Sequence, residues 1–193
     1  FNRATVPFVT FHIIQYVWTH PQVQWGAAEM GLGTTIGAVA ACFMVYDFVY
    51  YFFHRALHHR TIYRFVHKHH HRQMAPSRGN EDAVNVHPFE FVSGEYLHLL
   101  CLWVVPSIHI AGVALLILLG GMCASLNHTR HDGHVGPSAQ GMGTVYSVKA
   151  HDVHHHIFDY NCGQYLMVWD RAFGTYKPWN AALYQMEPSL PRW

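Results

Sequence analysis

The apolar positions of the chain fall into four runs separated by polar stretches. Residues 8–18 are apolar except for His12 and Gln15. A full membrane crossing takes about 20 residues, so this run is expected to be a partial span or an interfacial helix. Residues 32–53 are long enough to cross and contain one acid, Asp47. Gly33 and Gly37 on this run form a small-xxx-small pair suited to close helix packing. Residues 89–105 are apolar apart from Glu90, Glu95 and His98. Pro106 and Ser107 break the pattern, and residues 108–126 form the cleanest span. Helix is the expected state of each run, because a helix satisfies its own backbone hydrogen bonds in lipid.

The pattern predicts an all-α, integral-membrane fold of one domain over residues 1–193. Helical hairpins are capped by a histidine-rich metal-binding region drawn from residues 54–87 and 127–176. If 89–105 and 108–126 make a hairpin, both polar regions emerge on one side of the membrane. The basic residues agree: Arg55, Arg60, Arg64, Lys68, Arg72, Arg78, Arg130, Lys149 and Arg171 all fall there. The positive-inside rule makes that side cytosolic or its organellar equivalent.

Composition supports this reading. Of 193 residues, 51% are hydrophobic and 12% charged, about half the charge of a soluble domain. Basic and acidic residues nearly balance, at 12 and 11, which argues against a nucleic-acid partner. Cys42, Cys101, Cys123 and Cys162 contain no C-x-x-C pair and read as small buried hydrophobes. Gly31, Gly33 and Gly37 sit in a membrane-like run with no preceding strand, so they are a weak match to a dinucleotide loop. The first residue is Phe1, which suggests a processed or incompletely covered sequence.

The distinctive feature is 19 histidines, most of them in short clusters. His54 and His58 form the first cluster, His67, His70 and His71 the second, and His151, His154 and His155 the third. Residues three or four apart share a helix face, so each cluster is expected to aim its imidazoles at one point. Imidazole suits iron, zinc, copper or nickel, and eight ligands exceed the needs of one ion. Two metal ions are the economical expectation. A tag would not repeat H-x-x-H-H some 80 residues apart between spans. Haem is not expected, since bis-histidine ligation needs single histidines on facing spans. His131 is the first candidate for a further ligand, followed by His128, with His134 and His87 behind them. His12, His20, His59 and His109 read as structural. Asp47, two turns before His54, is expected to orient a ligand imidazole through its second nitrogen, with Asp152 and Asp170 doing the same for the late cluster. A zinc hydrolase would carry H-E-x-x-H, which is absent.

The ordered set of clusters resembles the fatty acid hydroxylase/sterol desaturase superfamily over residues 47–176. The resemblance rests on Asp47, Tyr50-Tyr51 and His54-Arg55, then Tyr63-Arg-Phe-Val-His67-Lys-His-His70-His71. His87-Pro88, His131-Asp132-Gly133, Asp159-Tyr160-Asn161-Cys-Gly163-Gln164-Tyr165 and Trp169-Asp170-Arg171-Ala-Phe-Gly174-Thr-Tyr176 are similar to the sterol C5-desaturase branch. Hydroxylase-like and methylsterol-oxidase-like members share much of this signature. The family's N-terminal hairpin is only partly present, and His69, His128, His134 and His156 lie outside its pattern.

The resemblance implies an O2-dependent, non-haem enzyme with two iron ions, replaceable by zinc on purification. It would desaturate or hydroxylate a lipid, most naturally a sterol. Electrons would come from a cytochrome b5-like donor. The endoplasmic reticulum is the implied location, with mitochondrial or plastid membranes as alternatives. The competing expectation is a non-catalytic subunit of a larger membrane assembly that retains the fold and the metal site.

Overall fold

The computed structural model describes residues 2–72, 79–129, 131–137 and 143–180. Arg78 and Arg130, counted above among the basic residues, lie outside them. Seven α-helices carry the described chain: α1 (Thr5–Thr19), α2 (Leu32–Leu57), α3 (Arg60–Tyr63), α4 (Pro88–Val104), α5 (Ile110–Asn127), α6 (Val148–His156) and α7 (Met167–Ala172). The strands are two-residue bridges. β1 (Val23–Gln24) pairs in parallel with β2 (Ile108–His109), and β3 (His134–Val135) pairs antiparallel with β4 (Tyr146–Ser147). The all-α expectation holds.

Local chemistry sets the helix starts. His59, His87 and His109 stand in extended backbone and accept from Thr61, Phe89 and Ala111 N–H respectively, capping α3, α4 and α5. Pro88 at the first position of α4 costs no hydrogen bond there. Arg55 sits in the last turn of α2, where the helix dipole favours positive charge.

α2 is the axis of the bundle, and both α4 and α5 pack on it. The buried core runs through Val39, Cys42 and Tyr46 of α2, Cys101 and Leu102 of α4, and Val113 and Leu116 of α5. The two arms of the α4–α5 hairpin touch each other only sparsely, leaving a gap between them. α1 packs on α4, tied by His12 Nδ1 to Tyr96 Oη at 3.1 Å. The α2–α5 crossing is tight at Gly112, where an added Cβ would meet Ile108 and Thr35 at 3.0 and 3.1 Å. Close packing was expected at Gly33 and Gly37 instead. An added Cβ at either meets nothing within 4 Å, so α5 crosses nearer Thr35 and these glycines face open space.

α2 and α5 are long and apolar enough to cross a bilayer, yet only 28% of each apolar window is buried within the chain. A soluble core helix would be covered. Here Leu32, Ile36, Ile117, Leu118 and Met122 remain exposed, as on a lipid-facing surface. α2 runs four residues beyond the expected limit of residue 53, which carries His54 on the same rigid helix. The C-terminal ends of α2 and α5 and the N-terminal end of α4 meet at one end of the bundle, and α3, α6 and α7 cap it.

Candidate metal centre

Nine histidines converge at that end in two groups. His54, His58, His67, His71 and His154 form one, and His70, His128, His151 and His155 the other. Within each group the candidate ligand atoms all lie within 4.8 Å of one another. The groups abut, with the His71 and His155 rings 4.5 Å apart.

The three clusters do not map one to a site, as their shared-face reading anticipated. The pairs four apart stay together: His54/His58, His67/His71 and His151/His155. The residue three along crosses over, His70 to the second group and His154 to the first. Neighbouring residues on a helix point about 100° apart, so His70 and His71 cannot serve one point, nor can His154 and His155.

The tautomers are set by what the far ring nitrogens touch. His54 Nδ1 donates to Cys162 O at 2.8 Å, His154 Nδ1 to Tyr160 O at 2.8 Å and His128 Nδ1 to Ala124 O at 2.9 Å. A carbonyl only accepts, so each Nδ1 carries the proton and each Nε2 holds a lone pair. His67 Nδ1 donates likewise to Glu90 Oε1 at 2.7 Å. Yet His54 Nε2 and His67 Nε2 face each other at 3.0 Å. His71 Nε2 stands 2.9 Å from His67 Nε2, and His58 Nε2 is 3.1 Å from His154 Nε2. In the second group, His128 Nε2 is 3.4 Å from His70 Nε2 and 3.2 Å from His151 Nε2, with His155 Nε2 3.1 Å from His151 Nε2. At His54 and His67, both braced at Nδ1, the converging lone pairs have no proton between them and repel unless a cation lies among them. The donor set therefore fits metal ions, and its all-imidazole chemistry fits iron or zinc.

Electrostatics agree. Burial, then the charge of His54, pushes His58 down to about 3. Burial first, then neighbouring imidazoles, hold His67, His70, His71, His151 and His154 well below the ordinary histidine range. Burial lowers His128. The rings are thus neutral at ordinary pH, and a metal need not displace protons from them. Phe158, packed 4.6 Å from the His71 ring and 5.5 Å from that of His58, closes the outer side against water.

The loop between α6 and α7 presents the carbonyl braces. Asn161, buried with φ 53°, turns the chain between Tyr160 and Cys162. Asparagine tolerates this left-handed conformation better than most residues. Its side chain bonds Ala150 O, Lys177 O and Lys177 N–H. Asp47 and Asp170 hold the same loop. Asp47 accepts from the backbone N–H of Gln164, Tyr165 and Leu166, and Asp170 from those of Cys162 and Gly163. Neither touches an imidazole, contrary to expectation; they act one step further out, through Cys162 O. Asp152 is half-buried on α6.

Of the added candidates, His128 joins the second group. His131 is exposed with its backbone N–H on Thr129 Oγ1, His134 is exposed on β3, and His87 caps α4; none of the three enters either group. Glu90 was read only as an interruption of an apolar run. An acid two residues after His87-Pro88, at the histidine-rich end of a span, was the available signal.

Helices long and apolar enough to cross a bilayer thus end in two imidazole groups that could each hold a metal ion. The fatty acid hydroxylase model matches residues 39–175, and the chain belongs to the fatty acid hydroxylase family. It is 27% identical to a Delta(7)-sterol 5(6)-desaturase of Leptosphaeria maculans over 193 residues, 96% of this chain and 52% of the relative. It is 28% identical to the lathosterol oxidase of Homo sapiens over 173 residues, 90% and 55% respectively. With that of Rattus norvegicus the identity is 30% over 131 residues, 68% and 42%. The chain spans about half the length of these curated relatives. No solved structure gives a significant match.

Proposed function

We propose that the chain is an O2-dependent, non-haem di-iron oxidoreductase that desaturates or hydroxylates a membrane lipid, with a sterol attacked at C5 as the substrate nearest to its relatives. The observation that carries this is the pair of abutting imidazole groups with opposed Nε2 lone pairs, beside a cavity lined by His70, His128 and Glu90. The sterol-oxidising relatives support the substrate class. No histidine of the three clusters is missing, as a non-catalytic subunit would allow.

His54, His58, His67, His71 and His154 would hold one iron, and His70, His128, His151 and His155 the other. When bound, the iron pair supplies activation of dioxygen and the oxidising power needed for an unactivated C–H bond, which no side chain provides. The chain's own residues do the rest. Cys162 O, Tyr160 O, Ala124 O and Glu90 keep the ligand Nδ1 atoms protonated and the Nε2 atoms aimed inward. Phe158 shields the site, and the apolar helices admit the lipid. Its position in the cavity decides between hydroxylation and desaturation. The membrane location is the endoplasmic reticulum, and a cytochrome b5-like protein supplies electrons at the basic, histidine-bearing face.

The test is metal analysis and turnover of the full chain in lipid, with lathosterol, oxygen and a reduced cytochrome b5. Two iron ions per chain and a 5,6-unsaturated or hydroxylated product are expected. Zinc in a purified sample should be exchangeable for iron with gain of activity. One ion or none after loading, and no oxidised lipid, overturns the reading.

A further inference from the structure

Polar groups inside the apolar bundle are not confined to its metal end. Glu95 and His98 stand one turn apart on α4, and Tyr165 reaches the same point from the loop before α7. His98 Nε2 lies 3.4 Å from Tyr165 Oη, and His98 Nδ1 lies 3.9 Å from Glu95 Oε2. The first distance is at the outer limit of a hydrogen bond and the second is beyond it. The His98 ring is held flat against Tyr46, centroids 4.0 Å apart. The side chains of His98 and Glu95 are 13% and 37% exposed, so their polar atoms border open space. An ionisable cluster at this depth is costly and points to function.

Two cavities meet at these residues. One, of about 130 Å3, occupies the gap between the splayed α4 and α5 against α1, with Ile13, Val17, Leu102 and Leu116 among its walls. The other leads to His70, His128 and Glu90. Glu95, His98, Gly121, Ala124 and Tyr165 line both. Gly121 and Ile117 also lie on the exposed flank of α5, and a Cβ at Gly121 would meet nothing within 4 Å. The apolar cavity therefore opens sideways, toward lipid.

The geometry points to Glu95, His98 and Tyr165 as a subsite that recognises the hydroxyl group of a lipid alcohol. The apolar body would lie in the cavity between α1, α4 and α5. A hydroxyl both donates and accepts. It can bridge the loose contacts, accepting from Tyr165 and donating to His98 Nε2 or Glu95. A lipid lacking it leaves these groups facing hydrocarbon, which they oppose. This assignment rests on the oxidoreductase reading of the metal end, but the binding it describes needs no turnover.

The test is binding of lathosterol and of its 3-methyl ether to the metal-loaded full chain in lipid nanodiscs. Each is measured by displacement of the fluorescent sterol dehydroergosterol. The unmodified chain should prefer lathosterol by roughly ten- to a hundredfold. His98→Phe, which keeps the stack on Tyr46, should reduce the preference to about twofold or less with metal content unchanged. Tyr165→Phe, the loss of one oxygen, should reduce it in part and serves where His98→Phe loses metal. Gly121→Phe should slow uptake of both ligands while leaving the preference intact.

Equal binding of the two lipids, or no sterol binding, overturns the subsite. So does a preference that survives both His98→Phe and Tyr165→Phe. Unchanged uptake in Gly121→Phe overturns the lateral route. A clear hydroxyl preference without any oxidised product under reducing, aerobic conditions removes the oxidoreductase reading and leaves the subsite standing. Oxidised product without the preference does the reverse.

Discussion

The two imidazole groups are built to different standards. In the five-histidine group three rings are braced from behind, by Cys162 O, Glu90 and Tyr160 O. In the four-histidine group His128 is braced by Ala124 O; His151 Nδ1, like the Nδ1 atoms of His58 and His71 in the first group, is buried without a partner. The braced group is closed by Phe158, whereas His70 and His128 of the other border the cavity that leads to lipid. A site with more of its ligands braced holds an ion more tightly, and one open to a cavity leaves room for ligand exchange. On the di-iron reading, the first group would be the anchor and the second the working face.

The largest expected effects come from removing one ligand on each side. His154→Ala should lose the anchor ion and, with the abutting His71 and His155 rings loosened, much of the second, and activity should fall more than a hundredfold. His151→Ala should lose only the second ion with a similar loss of activity. Metal content per chain, read by mass spectrometry, tells them apart; equal losses in both variants would break the asymmetry. His131→Ala is the control and should keep both ions.

Glu90→Gln comes next. It keeps the shape but replaces the carboxyl behind His67 with an amide, and metal affinity should drop about 10- to 100-fold, selectively at the anchor. Loss confined to the second ion would reverse the roles. Asn161→Ala removes the side-chain bonds that fix the turn between the two carbonyl braces and places Ala at positive φ. A stability loss of about 3 kcal/mol is expected in chemical unfolding, together with weaker anchor binding.

The smallest effect is a slope with pH. The folded chain holds His58 at about 3, against an ordinary 6.5. Below about pH 6.5 the unfolded state takes up protons that the folded state refuses, so stability falls as pH falls toward 3 and is unaffected by this group above 6.5. Unfolding midpoints of the metal-free chain across that range measure it. A flat profile would mean that the rings are already charged in the fold.

The helical class, the end of the bundle that carries the chemistry and eight of the nine gathered histidines were legible from the hydrophobic runs and the cluster spacing. The division between the groups was not. Spacings of three and four both read as one face, and only the orientation of each helix end decides that His70 and His154 cross over. Glu90 was hidden by its apolar surroundings. The braces from Cys162 and Tyr160 are backbone atoms, which spacing patterns do not reveal. Asp47 was located but given the wrong neighbour, since its partners are amides 117 to 119 residues away.

The interleaving of the two groups also has a consequence for synthesis. His54, His58, His67 and His71 leave the ribosome together, before α5 exists, whereas His70 is then the lone member of its own group. The anchor has four of its five imidazoles early; the working face gains His128 only at the end of α5 and is complete only with α6. An ion captured during translation would be held by the anchor first. The second waits for the carboxy-terminal third, and once in place the pair staples the first half of the chain to the last.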